Sequence, residues 1–370
     1  MSSTRLFLAG DLMTARGIDR ILPHPGDPLL HEAYARYADD YVELAEQRNG
    51  PIPRPADFAY VWGVALDEFE RRRPQVRLVN LETAVTARGR PQPKGINYRM
   101  NPANLPVLAA AGLDCCVLAN NHVLDWGEEG LLDTLRHLDA AGLRHAGAGI
   151  DRRHAEAPAI LPLADGGRLL VFAFAGPGCG VPGRWAAGAR QPGVALLADF
   201  SADSLQRVTK RIQAAKRPGD RVVVALHWGG NWGFGISPEQ QRFAHALIDT
   251  AGADLVHGHS SHHIKGIEVY RQRLILYGCG DLLDDYEGIG DHDAWRGDLG
   301  FLYFADLDAT GRLRALELVP TRQRRFSLCR AEGEDRRWLQ DTLTRECARF
   351  GCSLHAGGEG ALYLDWPAAA

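Results

Sequence analysis

The strongest constraint on the fold is a set of near-continuous apolar runs spaced by helix-length segments. In order they are RLFLAG from Arg5, VRLVNLE from Val76, DCCVLANN from Asp114, RLLVFAFAG from Arg168, RVVVALHWG from Arg221, ADLVHGH from Ala253 and RLILYGCGD from Arg273. Runs that are apolar on both faces, bounded by Gly, Asn or Asp and separated by helical stretches, predict a buried α/β sheet. Two later runs, GFLYFADLD and LRALELVP, are joined by the turn DATGR, which predicts an antiparallel portion near the end of the sheet.

Covering helices are read at 105–111, stopped by Gly112, and at 128–141, stopped by Gly142. A third is read at 238–250, with Ser237 as its cap, Pro238 in its first turn and Gly252 beyond its end. Residues 27–59, rich in charge, Tyr and Pro, interrupt the path between the first two strands. They are expected to form an insertion, helical in HEAYARYADDYVELAEQ, that acts as a lid over the site. Residues 1–330 then make a single domain, and 331–370 a C-terminal extension packed on it, an added helix followed by a frayed Ala tail.

With 370 residues and 45% hydrophobic content, the chain has enough apolar surface for a large core. Its 42 Lys and Arg against 46 Asp and Glu leave a formal charge of −4, so no global basic field draws it to nucleic acid or to an anionic membrane. The expected partner is a small-molecule or peptide-like substrate, with no nucleic acid and no membrane; the oligomeric state is left open. The apolar stretch at residues 6–9 is too short for a signal-peptide core, and no run reaches the roughly 20 apolar residues of a membrane-spanning helix. A cytoplasmic location is therefore expected. The seven cysteines have irregular spacings and no CxxC pair, which argues against a disulfide framework and a structural zinc site.

Polar residues cluster where the apolar runs end: Asp11, Asn80 and Glu82, Asn120 to His122, His227, and His259 to His263. Open α/β sheets bind ligands outside the carboxyl ends of their strands, so these dispersed segments are expected to converge. A mixture of carboxylate, amide oxygen and imidazole, with no cysteine, suits a divalent cation of the Mn, Fe or Zn type, Mn ahead. Two such ions about 3.5–4 Å apart would generate a nucleophilic hydroxide at neutral pH.

The segments GDLM, NLET, ANNHVLDWGEEGLLDTL, HWGGNW and GHSSHHIKGIE, spread over residues 4–290, resemble the ordered motifs of the CapA family of poly-γ-glutamate (capsule) biosynthesis proteins, relatives of the calcineurin-like metallophosphatases. The resemblance implies a four-layer α-β-β-α sandwich with a dinuclear metal centre. It assigns Asp11 to the first metal, Glu82 to the bridging carboxylate position and Asn121 to the second metal. His227 and His259 complete the second ion's shell, and His262 returns to the first. His122 becomes the general acid and Asp125 its orienting partner. Arg99 resembles a substrate-side arginine that clamps a carboxylate or phosphate. Asn120 is either a substrate contact or a turn former, and Trp228 either a pocket wall or core. Asp281 is read as support for the metal histidines, and His257 and His263 as packing or support.

Two departures bear on mechanism. Met13 stands where metallophosphatases carry a ligand His, so one ion or two remain open, and Glu82 stands for an Asp. The expected activity is attack of metal-activated water on a phosphoester or an amide bond, γ-glutamyl or peptide-like. The alternative is an accessory, non-catalytic component of polymer biosynthesis.

Overall fold

In the computed structural model, which describes residues 3–290 and 293–367, the apolar runs form two large sheets. One has ten strands, ordered across its width as Ser353–Ala356, Leu362–Asp365, Leu313–Arg324, Leu299–Leu307, Thr4–Leu12, Val76–Leu81, Cys115–Val117 and Arg144–Ala146. Asp281–Leu283 also pairs with Thr4–Leu12, and Ser327–Arg330 with Leu313–Arg324. The other has six strands, ordered Ile267–Tyr270, Arg273–Leu276, Leu255–His259, Arg221–His227, Arg168–Ala175 and Ala159–Pro162. The four strands from Thr4–Leu12 to Arg144–Ala146 are parallel, as are the four from Arg273–Leu276 to Arg168–Ala175. Leu299–Leu307 and Leu313–Arg324 are antiparallel, as their connecting turn predicts.

Strand periodicity explains why both faces of these runs are apolar. Along Thr4–Leu12, Leu6 and Leu8 enter a cluster that also holds Val171, Val223 and Leu255 of the other sheet. Phe7 and Ala9 point the opposite way, into a cluster with Val42, Ala65, Val107 and Leu131 from the helices. Along Arg221–His227, Val223 and Ala225 face inward, while Val222, Val224 and Leu226 meet Val208, Ile212 and Phe243 from helices Ala202–Ala215 and Pro238–Ala246. Each such Val, Leu, Ile or Phe, once removed from water, contributes about 1.5–3 kcal/mol before entropy is counted.

Helix limits follow from local chemistry. The segment read as 128–141 is Gly127–Ala140. Ser237 caps the next helix through a capping box with Gln240, but the regular helix ends at Ala246 and a π turn, Leu247–Ala251, finishes the run before Gly252. The 105–111 reading is broken by Pro106, whose missing N–H starts a new short helix, Pro106–Ala110, after the single turn Pro102–Asn104.

Within the 27–59 insertion, helix Ala38–Asn49 forms and seats Val42 and Ala45 in the outer core. Near the C-terminus, Gly333–Ala348 sends Leu339, Leu343 and Cys347 into the cluster between the sheets. Two unanticipated strands, Ser353–Ala356 and Leu362–Asp365, extend the ten-stranded sheet. The expected Ala tail, residues 368–370, lies outside the described residues. Among the described residues the cysteines form no disulfide, and no helix is long and apolar enough to cross a membrane.

Candidate functional site

Strand register decides which side chains meet. Asp11 is the register partner of both Asn80 and Asp281 on the two flanking strands, and His227 is the partner of His259 in the other sheet. These residues end parallel strands of two packed sheets, so carboxylates from one and imidazoles from the other converge. Gly10 allows the approach: a Cβ there would lie 1.7 Å from the carbonyl oxygen of Gly280, just before Asp281.

Asp11 Oδ1 accepts from Asn80 Nδ2 at 2.7 Å, and Oδ2 from the Ser260 N–H at 3.2 Å. Ser260 has a φ of 98°, a sparsely populated value for a residue with a side chain, held at the bend between His259 and His262. Asn80 Nδ2 also reaches Glu82 Oε2 at 3.2 Å. The two rings His227 and His259 bring their Nδ1 atoms to 2.8 Å, and His227 Nε2 lies 2.8 Å from Asn121 Oδ1. Glu82 Oε1 is 3.9 Å from His227 Nε2 and 3.8 Å from His122 Nε2. His262 Nδ1 is 2.9 Å from Asp281 Oδ1.

Ligand-capable atoms of Asp11, His227 and His259 lie within 4.8 Å of one another, and so do those of Asp11, His262 and Asp281. The carboxylate common to both groups is Asp11, whereas the motif resemblance assigns the bridging place to Glu82. All these side chains are buried. Among the described residues the ion-pair partners of Asp11, Glu82 and Asp281 are histidines alone.

Burial and then the neighbouring Asp281 charge push the Asp11 carboxyl up to about 7. Burial, then Asp11, lifts Glu82 well above the usual range, and burial lifts Asp281 likewise. Burial pushes His227, His259 and His262 down. Among the described residues His259 Nε2 and Asp281 Oδ2 have no hydrogen-bond partner. Carboxylates short of positive charge, beside neutral imidazoles with unused nitrogens, are the donor set that a divalent cation completes, and these residues fit one.

Beside this buried cluster stands a second unit. His122 Nδ1 lies 2.6 Å from Asp125 Oδ2, and Lys94 Nζ lies 2.7 Å from Asp125 Oδ1 and 3.3 Å from His122 Nδ1. The Tyr98 N–H donates to Asp125 Oδ2 at 2.6 Å, and the Tyr98 ring stacks on His122 with centroids 4.0 Å apart. With the Asp125 carboxylate accepting, we assign the Nδ1 proton to His122, which leaves Nε2, on the Glu82 side, as its reactive nitrogen. Burial depresses the imidazole to about 4 against the raising effect of Asp125.

For Asn120 and Trp228, each open to a substrate-side or a structural reading, the contacts are those of the structural one. Asn120 is fully buried, donating to Asn80 Oδ1 and the Leu81 carbonyl and accepting from the His122 and Val123 N–H groups. Its amide has no capacity left for substrate, and it serves to fix the turn that presents Asn121 and His122. Trp228 is core: it donates to the Tyr277 carbonyl and packs among Phe200 and Tyr277. Arg99 does line a small cavity, 3.8 Å over the Trp126 ring and 3.6 Å from Asp27 of the insertion. His257 bonds the Ala9 carbonyl and His263 that of Ile264, so both brace the backbone.

Sequence reasoning misses Lys94 and Tyr98. Lys94 sits in GRPQPKG, which reads only as a turn-rich loop, and nothing in its spacing links it to a histidine 28 positions later. Tyr98 precedes Arg99, which alone in that segment carries a signal.

The family model described as "Bacterial capsule synthesis protein PGA_cap" matches residues 5–286. The chain is similar to a "Probable polyglutamine synthesis accessory protein" of Mycobacterium tuberculosis, with 47% identity over 349 residues, 94% of this chain and 92% of that one. It is also similar to "PGA biosynthesis protein CapA" of Bacillus subtilis, 29% identical over 277 residues, 75% of this chain and 62% of that one. With "Capsule biosynthesis protein CapA" of Bacillus anthracis it shares 30% identity over 197 residues, 52% of this chain and 45% of that one.

Proposed function

We propose, from the premise that this chain belongs to the bacterial capsule synthesis protein family, that it is an accessory factor in the synthesis of a polyglutamate-type or polyglutamine-type polymer and serves it as a metal-dependent hydrolase. The bond in this reading is an amide of the polymer. Family membership and the naming of the relatives support the accessory role. The chemistry is carried by one observation: three buried carboxylates, Asp11, Glu82 and Asp281, pair with histidines and with no Lys or Arg among the described residues, beside an imidazole held for proton transfer. The four-layer α-β-β-α layering of metallophosphatases belongs to the same reading, supported by the apolar cluster between the sheets and the one on each outer side.

Asp11, Asn121, His227 and His259 would hold a divalent ion of the Mn, Fe or Zn type, with Glu82 alongside. Bound there, such an ion supplies a low-pKa water and stabilises an oxyanion. Asn80 and the Ser260 N–H fix the Asp11 carboxylate. Asp125, braced by Lys94 and the Tyr98 N–H, orients His122 so that Nε2 would take up a proton from the attacking water and pass it to the leaving amine. The Tyr98 ring shields one face of His122 from water. Arg99, in a small cavity walled by Arg16, Asp27 and Trp126 whose lining includes none of the ligand-type residues, would offer a fork for a carboxylate of a substrate that reaches beyond the reacting bond.

The test is turnover of γ-glutamyl and α-linked glutamyl oligomers, with phosphoesters beside them, before and after chelation. Amide cleavage that disappears with chelator and returns with Mn²⁺ is expected. Cleavage of phosphoesters alone would replace the bond, and cleavage unaffected by complete metal removal would end the metal-hydrolase reading. Polymer binding without any turnover, unchanged in His122→Ala, would leave a non-catalytic accessory.

A further inference from the structure

We propose that the Tyr286 hydroxyl, relayed by Tyr98, donates a hydrogen bond to the oxyanion formed when water adds to the scissile carbonyl, which makes Tyr286 a catalytic residue. The inference rests on the amide-hydrolase reading above and adds to it the protein's own donor for the developing charge.

The two phenols span the cluster. The Tyr98 ring is stacked on His122, with centroids 4.0 Å apart, and its hydroxyl is hydrogen-bonded to that of Tyr286. The Tyr286 ring in turn stands edge-on to His262, with centroids 5.6 Å apart and planes at 89°. The hydroxyl pair thus joins the histidine held for proton transfer to a histidine of the ligand-type set. The Arg16 guanidinium, itself fixed by Asp285 and Glu32, lies 4.6 Å from the centre of the Tyr98 ring and 5.7 Å from that of Tyr286. The loop carrying Tyr286 is pinned as well: its N–H donates to Asp284 Oδ1 at 2.7 Å. Tyr98 is buried, whereas Tyr286 keeps part of its surface open to solvent, so Tyr286 is the phenol a substrate can reach.

Two phenols carry two O–H groups, and the bond between them uses one. Beyond Tyr98, the Tyr286 hydroxyl has a single acceptor among the described residues, Met13 Sδ at 3.6 Å. With Tyr98 donating to Tyr286, the Tyr286 proton is left with that thioether, which is a weak acceptor. Donation from Tyr98 also polarises the Tyr286 O–H. A negatively charged oxygen is a far stronger acceptor than a thioether or a neutral carbonyl, so this bond gains strength as the carbonyl oxygen takes up charge. An interaction stronger in the transition state than in the ground state is the kind that raises kcat.

The division of labour is then complete in protons. His122 takes one from the attacking water and passes it to the leaving amine as the C–N bond breaks, while Tyr286 keeps its own throughout.

The experiment compares wild type, Tyr286→Phe and Tyr98→Phe, each full-length and loaded with Mn²⁺. It combines steady-state kinetics on whichever glutamyl oligomer the wild type cleaves with an ion count and with calorimetric binding of a phosphinate isostere of a glutamyl dipeptide, whose charged tetrahedral group stands in for the oxyanion. Tyr286→Phe is expected to lower kcat by about 10²- to 10³-fold, the usual effect of losing one oxyanion donor, with KM and ion count unchanged. It is also expected to weaken phosphinate binding by about tenfold or more, as loss of a charge-assisted hydrogen bond does. Tyr98→Phe keeps the donor and loses its relay, so a smaller fall in kcat is expected. Wild-type kcat in Tyr286→Phe, or a change confined to KM, would overturn the proposal and leave the hydrolase reading intact. Loss of bound ion in Tyr286→Phe would overturn it too, making the phenol a support of the ligand-type residues. A wild type that cleaves no amide would remove both.

Discussion

His122 owes its orientation to neighbours scattered along the chain. Asp125 holds Nδ1, Lys94 holds Asp125, and Tyr98 covers the ring. His122→Ala is therefore expected to abolish turnover with the ion count unchanged, and Asp125→Asn or Lys94→Met to lower kcat by about 10- to 100-fold, the usual effect of losing a supporting partner. Metal analysis beside steady-state kinetics decides this; ion loss in His122→Ala would make it a ligand instead. Arg99→Ala is expected to raise KM about tenfold or more for a carboxylate-bearing substrate, since a charge-assisted hydrogen bond contributes about 1.5–3 kcal/mol. An unchanged KM would return Arg99 to its Trp126 stack and nothing else. The ligand-type residues are legible in the sequence because each closes an apolar run. Lys94 is not, because its role exists only after a loop folds across a helix start, and Asn120 misleads because an amide's spare capacity is visible only when its partners are.

The insertion meets the site at the Arg16 guanidinium. Arg16 pairs with Asp285 and with Glu32 of the insertion, donates to the Tyr41 hydroxyl at 3.0 Å, and lies 4.6 Å from the centre of the Tyr98 ring that covers His122. Arg16→Met leaves Asp285 and Glu32 buried without their cation, an imbalance of about 3–5 kcal/mol. A matching fall in the urea midpoint is expected, and a loss below about 1 kcal/mol would show that the insertion is held by apolar packing alone. The helical part of the insertion can be read from its composition. Its seating cannot, because Val42 and Ala45 form too short an apolar stripe to announce a buried face. The C-terminal strands escape for a related reason: Ser353–Ala356 is an exposed edge strand and lacks the apolar signature of the interior ones.

At the scale of the whole molecule, the buried carboxylate and histidine cluster is expected to make stability depend on pH and on metal. In the metal-free protein the raised carboxyls of Asp11, Glu82 and Asp281 bind protons that the unfolded chain has released. Their contribution is complete below the ordinary carboxylate range and is lost as pH rises, for Asp11 through about 7. The depressed histidines act oppositely, but only below about 6.5, where the unfolded chain begins to protonate. Between about pH 6.5 and 8 the carboxyls alone should govern, so the Tm of chelated protein is expected to fall across that window. Saturating Mn²⁺ is expected to flatten the fall and raise Tm, with about 2.7 kcal/mol gained at a hundredfold excess over Kd. A Tm indifferent to both pH and Mn²⁺ would speak against the site. The two-sheet layering can be anticipated from runs apolar on both faces, whereas the ten-strand width cannot, because it depends on pairings such as Thr4 with Leu307, drawn from distant parts of the chain.

The ligand groups draw from both sheets: Asp11 and Asp281 from one, His227 and His259 from the other. Whatever binds there fastens two separately hydrogen-bonded layers at one point. Amide protons at the ends of Thr4–Leu12 and Leu255–His259 should therefore slow their exchange with solvent together when the site is filled, although the two strands belong to different sheets.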